Sequence, residues 1–176
     1  MNGTMLGLPA PISVALFDLD GVLTDTAVLH KRAWKQAFDA FIRERDGDEF
    51  VPSTDRDYLL VLASLKRCGD VGSYPGSVRY LTASREAGLR VGVVTSSERR
   101  HLRRPDPFLA CAQTLAVAPR CAAVFEDALS GLQAGRAGGF GYLVGVDRVG
   151  GDGHAAAMRA VGADVVVTDL AELLAA

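Results

Sequence analysis

The sequence predicts an α/β protein: a doubly wound parallel sheet with a small α-helical cap inserted near its start. Three observations predict it. From residue 77 onward, short apolar runs alternate with amphipathic stretches of helical spacing, the pattern of strand–helix–strand units in a parallel sheet. The first apolar run, residues 12–17, ends in acid and leads into a long helical stretch over 26–67 that interrupts that rhythm. Three of the apolar runs also end in residues able to do chemistry: Asp18 and Asp20, then Thr95, Ser96 and Ser97, then Glu126 and Asp127.

Each element has its own reason. ISVALF (12–17) is apolar almost throughout, as in a strand buried on both faces. Over 26–44, Ala33, Trp34, Ala37, Phe38 and Phe41 recur at helical spacing with Lys31, Arg32, Lys35 and Arg43 between them, which predicts an amphipathic helix. A second helix is expected over 55–67, capped by Thr54 or Asp55, and GDVGSYPGS (69–77) reads as loop. Helix is predicted over 77–87, with Gly88 as its stop, then strand over 91–94 and helix over 105–117. Strand over 122–125, helix over 128–137, strand over 142–146, helix over 154–161, strand over 165–167 and helix over 170–175 complete the chain. GGFGYLVG (138–145) is rich in glycine but leads into a strand and lacks the third glycine of a dinucleotide loop, so it reads as structural. These elements divide the chain into a core of 10–24 and 74–176 and a cap of 25–73.

Composition narrows the setting. The 176 residues are 49% hydrophobic and 23% charged, as in a globular domain with one core. A net charge of −2 gives no electrostatic footprint for nucleic acid or an anionic membrane. No apolar run approaches the roughly 18 residues of a membrane span, and MNGTMLGLPAPIS lacks the basic start and long apolar run of a secretory signal. Cys68, Cys111 and Cys121 form no CxxC pair and read as reduced thiols with packing roles. The expected setting is cytoplasmic, as a monomer or homodimer.

In open parallel sheets, ligands bind beyond the carboxyl ends of the strands. Acids at neighbouring strand ends converge there, and crowded carboxylates repel unless a cation sits among them. An all-oxygen donor set suits Mg2+, which takes few protein carboxylates and leaves positions for phosphate and water. Any one of these acids could equally be a helix cap; their convergence is what favours a site.

FDLDGVLTDTAVLHKRAW (17–34) resembles the first motif, DxDGxxxD, of the haloacid dehalogenase-like phosphotransferases. Its continuation through Thr24, Asp25, Thr26, His30, Ala33 and Trp34 resembles the β-phosphoglucomutase branch. VGVVTSS (91–97) resembles the second motif, and AAVFEDALSGLQAGRAGGF (122–140) the fourth. The resemblance implies a phosphotransferase acting on a small phosphorylated sugar, with Asp18 as nucleophile and Asp20 as general acid and base. It implies Mg2+ held by the Asp18 carboxylate, the Asp20 backbone carbonyl and Asp127, with Glu126 in support. Thr95 and Ser96 would bind the transferring phosphate. Asp25 and His30, where the chain leaves for the cap, would serve as hinge or orient the sugar.

Two parts of the resembling pattern are missing. ERRHLRRPDPFLACAQTLAV (98–117) holds no lysine ahead of Pro105 and Asp106, where the third motif carries one. Arg103 or Arg104 would take its place, with a planar fork instead of a compact ammonium; alternatively, 98–104 is a solvated basic linker. Those few residues also replace a helix and a strand, so the strand over 91–94 is expected to expose a face at the sheet edge. The cap shows two helices where the family carries about four, and a thin cap excludes water poorly. The resemblance thus points first to a phosphatase, second to a β-phosphoglucomutase-type isomerase, and third to a catalytically impaired binding or assembly protein.

Overall fold

The computed structural model describes residues 6–25, 73–94 and 106–174. The expected cap helices, the residues Thr95, Ser96, Arg103, Arg104 and His30, and Cys68 lie outside the described residues. The chain divides into two compact units: Met1–Thr24 with Ser73–Ala176, and Asp25–Gly72.

The described residues of the first unit form five parallel strands: β1 (Val14–Asp18), β2 (Arg90–Val94), β3 (Ala122–Glu126), β4 (Tyr142–Val146) and β5 (Val165–Val167), in the order β2-β1-β3-β4-β5. Among the described residues four helices join them: α1 (Pro75–Glu86), α2 (Asp106–Thr114), α3 (Leu129–Ala137) and α4 (Asp152–Ala160). This is the doubly wound α/β class that the alternation predicts.

The period-two geometry of a strand explains the two layers. Every position of β1 and β3 is buried. Ala15, Phe17, Ala123 and Phe125 face one side, where they pack with Tyr80 of α1 and with Leu170 and Leu173. Val14, Leu16, Ala122 and Val124 face the other, with Phe108 of α2, Leu132 of α3 and Met158 of α4. Phe17 stacks on Phe125 at 4.4 Å between ring centroids, and Tyr80 closes the group at 5.4 Å from Phe125. The Tyr80 hydroxyl donates to the Leu6 carbonyl at 2.8 Å, so its polar tip is satisfied in the core. Each of these aromatic side chains contributes roughly 1.5–3 kcal/mol by burial.

Some boundaries differ from expectation. Helix α1 begins two residues early because Pro75 is tolerated in a first turn, where its missing N–H is not needed. Helix α2 ends at Thr114, short of 117, and Ala116 follows at φ 47°. Helix α4 starts at Asp152 behind Gly151, whose φ of 89° suits glycine. The predicted last helix is a 3-10 turn over Leu170–Leu174. There Glu172 accepts from the Thr168 and Asp169 N–H groups and Asp169 accepts from that of Ala171, satisfying the entry donors with side chains in a tight turn. A further 3-10 turn over Pro119–Cys121 leads into β3. Among the described residues β2 is an edge strand, and Val93 on it is 50% exposed. The Cys111 sulfur lies within contact of the space a Gly92 side chain would need, and burial pushes this thiol up, as befits a packing residue.

Candidate active site

Because β1 and β3 are neighbours, with Phe17 opposite Phe125, their carboxyl ends bring Asp18 beside Glu126 and Asp127. Asp18 and Glu126 continue the parity of Leu16 and Val124, so both leave the sheet on the α3 side. One ligand oxygen from each of Asp18, Glu126 and Asp127 lies within 4.8 Å of the others. Asp18 is 5% exposed and Glu126 6%.

Burial and crowding set the electrostatics. Desolvation, then the Asp127 and Asp20 charges, push the Asp18 carboxyl up to about 7. Glu126 is held well above the usual carboxylate range by burial and then by Asp18 and Asp127; the Ala128 N–H, donating at 3.1 Å, opposes this. Burial also raises Asp127, against its own backbone hydrogen bond, a hydrogen bond with Glu126 and, less strongly, the charge of Arg148. Three carboxyls so placed need protons or a cation. Hard oxygen donors in a partly buried cluster fit a Mg2+-type ion.

Local backbone makes room for these acids. After β1 the chain folds into a turn: Gly21 N–H donates to Thr24 O, and the Leu23 and Thr24 N–H groups donate to Leu19 O. Leu19 N–H donates to Val94 O, tying the turn to β2. Gly21 sits at φ 86°, and a Cβ there would overlap the Asp127 carboxylate. Glycine after Asp20 is therefore required twice, for its dihedral and for its lack of bulk. Gly131 in α3 plays the second part for Glu126, whose carboxylate occupies the space of the missing Cβ.

The structure thus gathers Asp18, Glu126 and Asp127, and places Asp20 near enough to act on Asp18. Asp25 is the first residue of the second unit. Sequence reasoning passed over three residues at the same edge. Asp147 follows β4, and its Oδ1 accepts from Val149 N–H at 3.1 Å and Gly150 N–H at 2.9 Å and lies 2.8 Å from His154 Nδ1. Those bonds, the Gly150 N–H foremost, hold it below its ordinary range. Its signal was available, since YLVGVD ends an apolar run in acid just as the first strand does. Arg148 carries no such local signal.

Comparison with known proteins fits this geometry. No family model matches the chain. Proteins named β-phosphoglucomutase from Mycobacterium bovis and Mycobacterium tuberculosis are each 38% identical, the match covering 99% of this chain and 96% of the relative. A haloacid dehalogenase family hydrolase of Deinococcus radiodurans R1, solved with bound phosphate and sodium, superposes with a TM-score of 0.66 at 25% identity, covering 94% of each chain. CbbY from Rhodobacter sphaeroides, solved with phosphate, superposes at 0.62 and 21% identity, covering 92% of this chain and 96% of that one. Fold and acid cluster together define an enzyme of the phosphatase and phosphomutase class. The chain belongs to the haloacid dehalogenase-like superfamily, in its β-phosphoglucomutase-like branch. Among the described residues no helix is long and apolar enough to cross a membrane.

Proposed function

We propose that this chain is a Mg2+-dependent phosphatase of small sugar phosphates that works through an aspartyl-phosphate on Asp18. The observation that carries the reading is the meeting of Asp18, Glu126 and Asp127 within 4.8 Å, with Asp20 two residues beyond the nucleophile.

An Asp18 carboxylate oxygen attacks phosphorus, and the bond from phosphorus to the sugar oxygen breaks. Asp20, protonated, gives its proton to that leaving oxygen. Water then attacks the phosphorus of the acyl phosphate. Asp20, now a carboxylate, takes the water's proton, the Asp18–phosphorus bond breaks, and inorganic phosphate leaves. Asp18, Asp127 and the Asp20 backbone carbonyl would hold Mg2+, with Glu126 in support. Bound there, the ion supplies the positive charge that keeps Asp18 ionised and shields it from the incoming phosphate.

In the same reading Thr95 and Ser96 bind the phosphate, and Arg103 or Arg104 takes the neutralising place of the absent lysine. Asp25 and His30 orient the sugar, residues 25–73 act as the cap, and the protein works in the cytoplasm as a monomer or homodimer. A second reading, isomerisation of β-glucose 1-phosphate, is favoured by the β-phosphoglucomutase name of relatives 38% identical. Supplying β-glucose 1-phosphate, Mg2+ and a bisphosphate primer separates the two. Free phosphate marks the phosphatase and glucose 6-phosphate the mutase. Neither product, with wild type and Asp18→Asn alike, refutes both.

A further inference from the structure

We infer that Arg148 is a positioning residue for the acid cluster, its guanidinium fixing the turn of Asp20 and Gly21 against Asp127. The metal arm of this inference rests on the function proposed above.

Arg148 lies just after β4, and its fork joins segments that are distant in the chain. Nε donates to Gly21 O at 2.8 Å, and Nη1 to Thr168 O at 2.8 Å. Nη2 donates to Val22 O at 3.2 Å and to Ser77 Oγ at 3.3 Å. The Ser77 hydroxyl in turn donates to Val22 O at 2.6 Å. The guanidinium carbon stands 3.6 Å from the centroid of the Tyr74 ring.

The turn's internal bonds set its shape but not its distance from β3. Gly21 and Val22 are buried, so their carbonyls need protein donors; Arg148 donates to both, sharing Val22 O with the Ser77 hydroxyl. Gly21 packs so closely on Asp127 that even a Cβ would not fit. A small displacement of the turn therefore changes the space around that carboxylate. Lysine cannot reproduce the role, because one ammonium cannot stack flat on Tyr74 while reaching acceptors from three segments.

The test uses Arg148→Met and Arg148→Lys in the full chain, with two readouts besides turnover: Mn2+ affinity by electron paramagnetic resonance, and amide hydrogen exchange at Gly21, Leu23 and Thr24. Both variants are expected to weaken Mn2+ binding by about tenfold or more and to speed exchange at those three amides, leaving β4 amides at wild-type rates. Turnover number should fall while KM for the phosphate ester stays within about threefold. If Arg148→Lys restores both metal affinity and exchange to wild type, charge and not the fork is at work, and the inference fails. It fails equally if exchange quickens in a variant that keeps wild-type Mn2+ affinity, or if neither readout moves. Should Arg148→Met not fold, Arg148→Lys and Ser77→Ala carry the same comparison. A wild type that neither binds Mn2+ nor releases phosphate defeats the proposed function; exchange alone then decides whether Arg148 holds the turn.

Discussion

The acids at the ends of β1 and β3 and those that follow β4 and β5 share one edge of one sheet, yet their surroundings push them in opposite directions. Asp18, Glu126 and Asp127 are all raised, by burial first; the neighbouring acids add to this at Asp18 and Glu126, and Asp20 adds to it at Asp127. Asp147 is lowered by the Gly150 and Val149 N–H groups and by His154. Glu172 is lowered by the Thr168 hydroxyl and by the Thr168 and Asp169 N–H groups. The second group spends its oxygens on local donors and so builds loops. The first crowds its oxygens together and is unfavourable in a folded chain until something positive arrives. At the same sheet edge, that contrast separates acids satisfied by their own loops from acids that are not, the pattern on which the proposed function rests.

Asp18→Asn should cut phosphate release by about 1,000-fold or more, because an amide cannot form the acyl phosphate. The same change should raise the melting temperature of the metal-free protein, since it removes a buried charge from a repelling cluster. A variant that loses activity and melts lower would show the cluster is not under electrostatic load.

A pH series sharpens the same point. Asp18 titrates near 7 in the folded protein and near 3.8 when unfolded, so between those values the native state holds a proton that the unfolded state has released. Stability without metal should therefore fall as pH rises from about 4 through 7, by on the order of 4 kcal/mol at most. Mg2+ should restore more stability at pH 8 than at pH 5. Melting curves with Mg2+ and with chelator at both values check this; equal Mg2+ shifts would refute it.

The donor-fed acid should behave in the opposite sense. Asp147→Ala removes an ionised acceptor of three bonds and should destabilise by about 1–2 kcal/mol, since Val149 and Gly150 are exposed and water replaces part of what is lost, with a smaller loss of activity than at Asp18. Because Asp147 is lowered on folding, the stability it lends is present above the usual aspartate range and lost as pH falls through its folded value. His154→Ala, which removes one of the three partners, should cost less, about 1 kcal/mol. Denaturant titration of the two variants ranks them.

What could be read from the residues follows the same division. Strands ending in acid announce themselves locally, so Asp18, Asp20, Glu126 and Asp127 and the parallel alternation were legible. At Leu170–Leu174 only the entry was legible: Asp169 and Glu172 stand at capping-box spacing, which marks a helical turn but does not set 3-10 against α. The early end of α2 was not, because nothing about an alanine at 116 foretells a positive φ. Arg148 was the least legible, as its partners Gly21 and Val22 lie more than a hundred residues away. A residue whose work is to join distant segments leaves no periodic or local trace.

One small feature has reach beyond the site. Thr24 and Ser73 bridge as antiparallel backbone, and Tyr74 N–H donates to Leu23 O at 3.1 Å. The core unit therefore closes on itself at a single doorway, with the two chain ends held about 5 Å apart. Whatever is strung between them can change in length for only about 0.6 kcal/mol of loop-closure entropy per doubling. Descent can therefore lengthen, trim or exchange that insertion while the closure of the core unit at Thr24 and Ser73 stays the same.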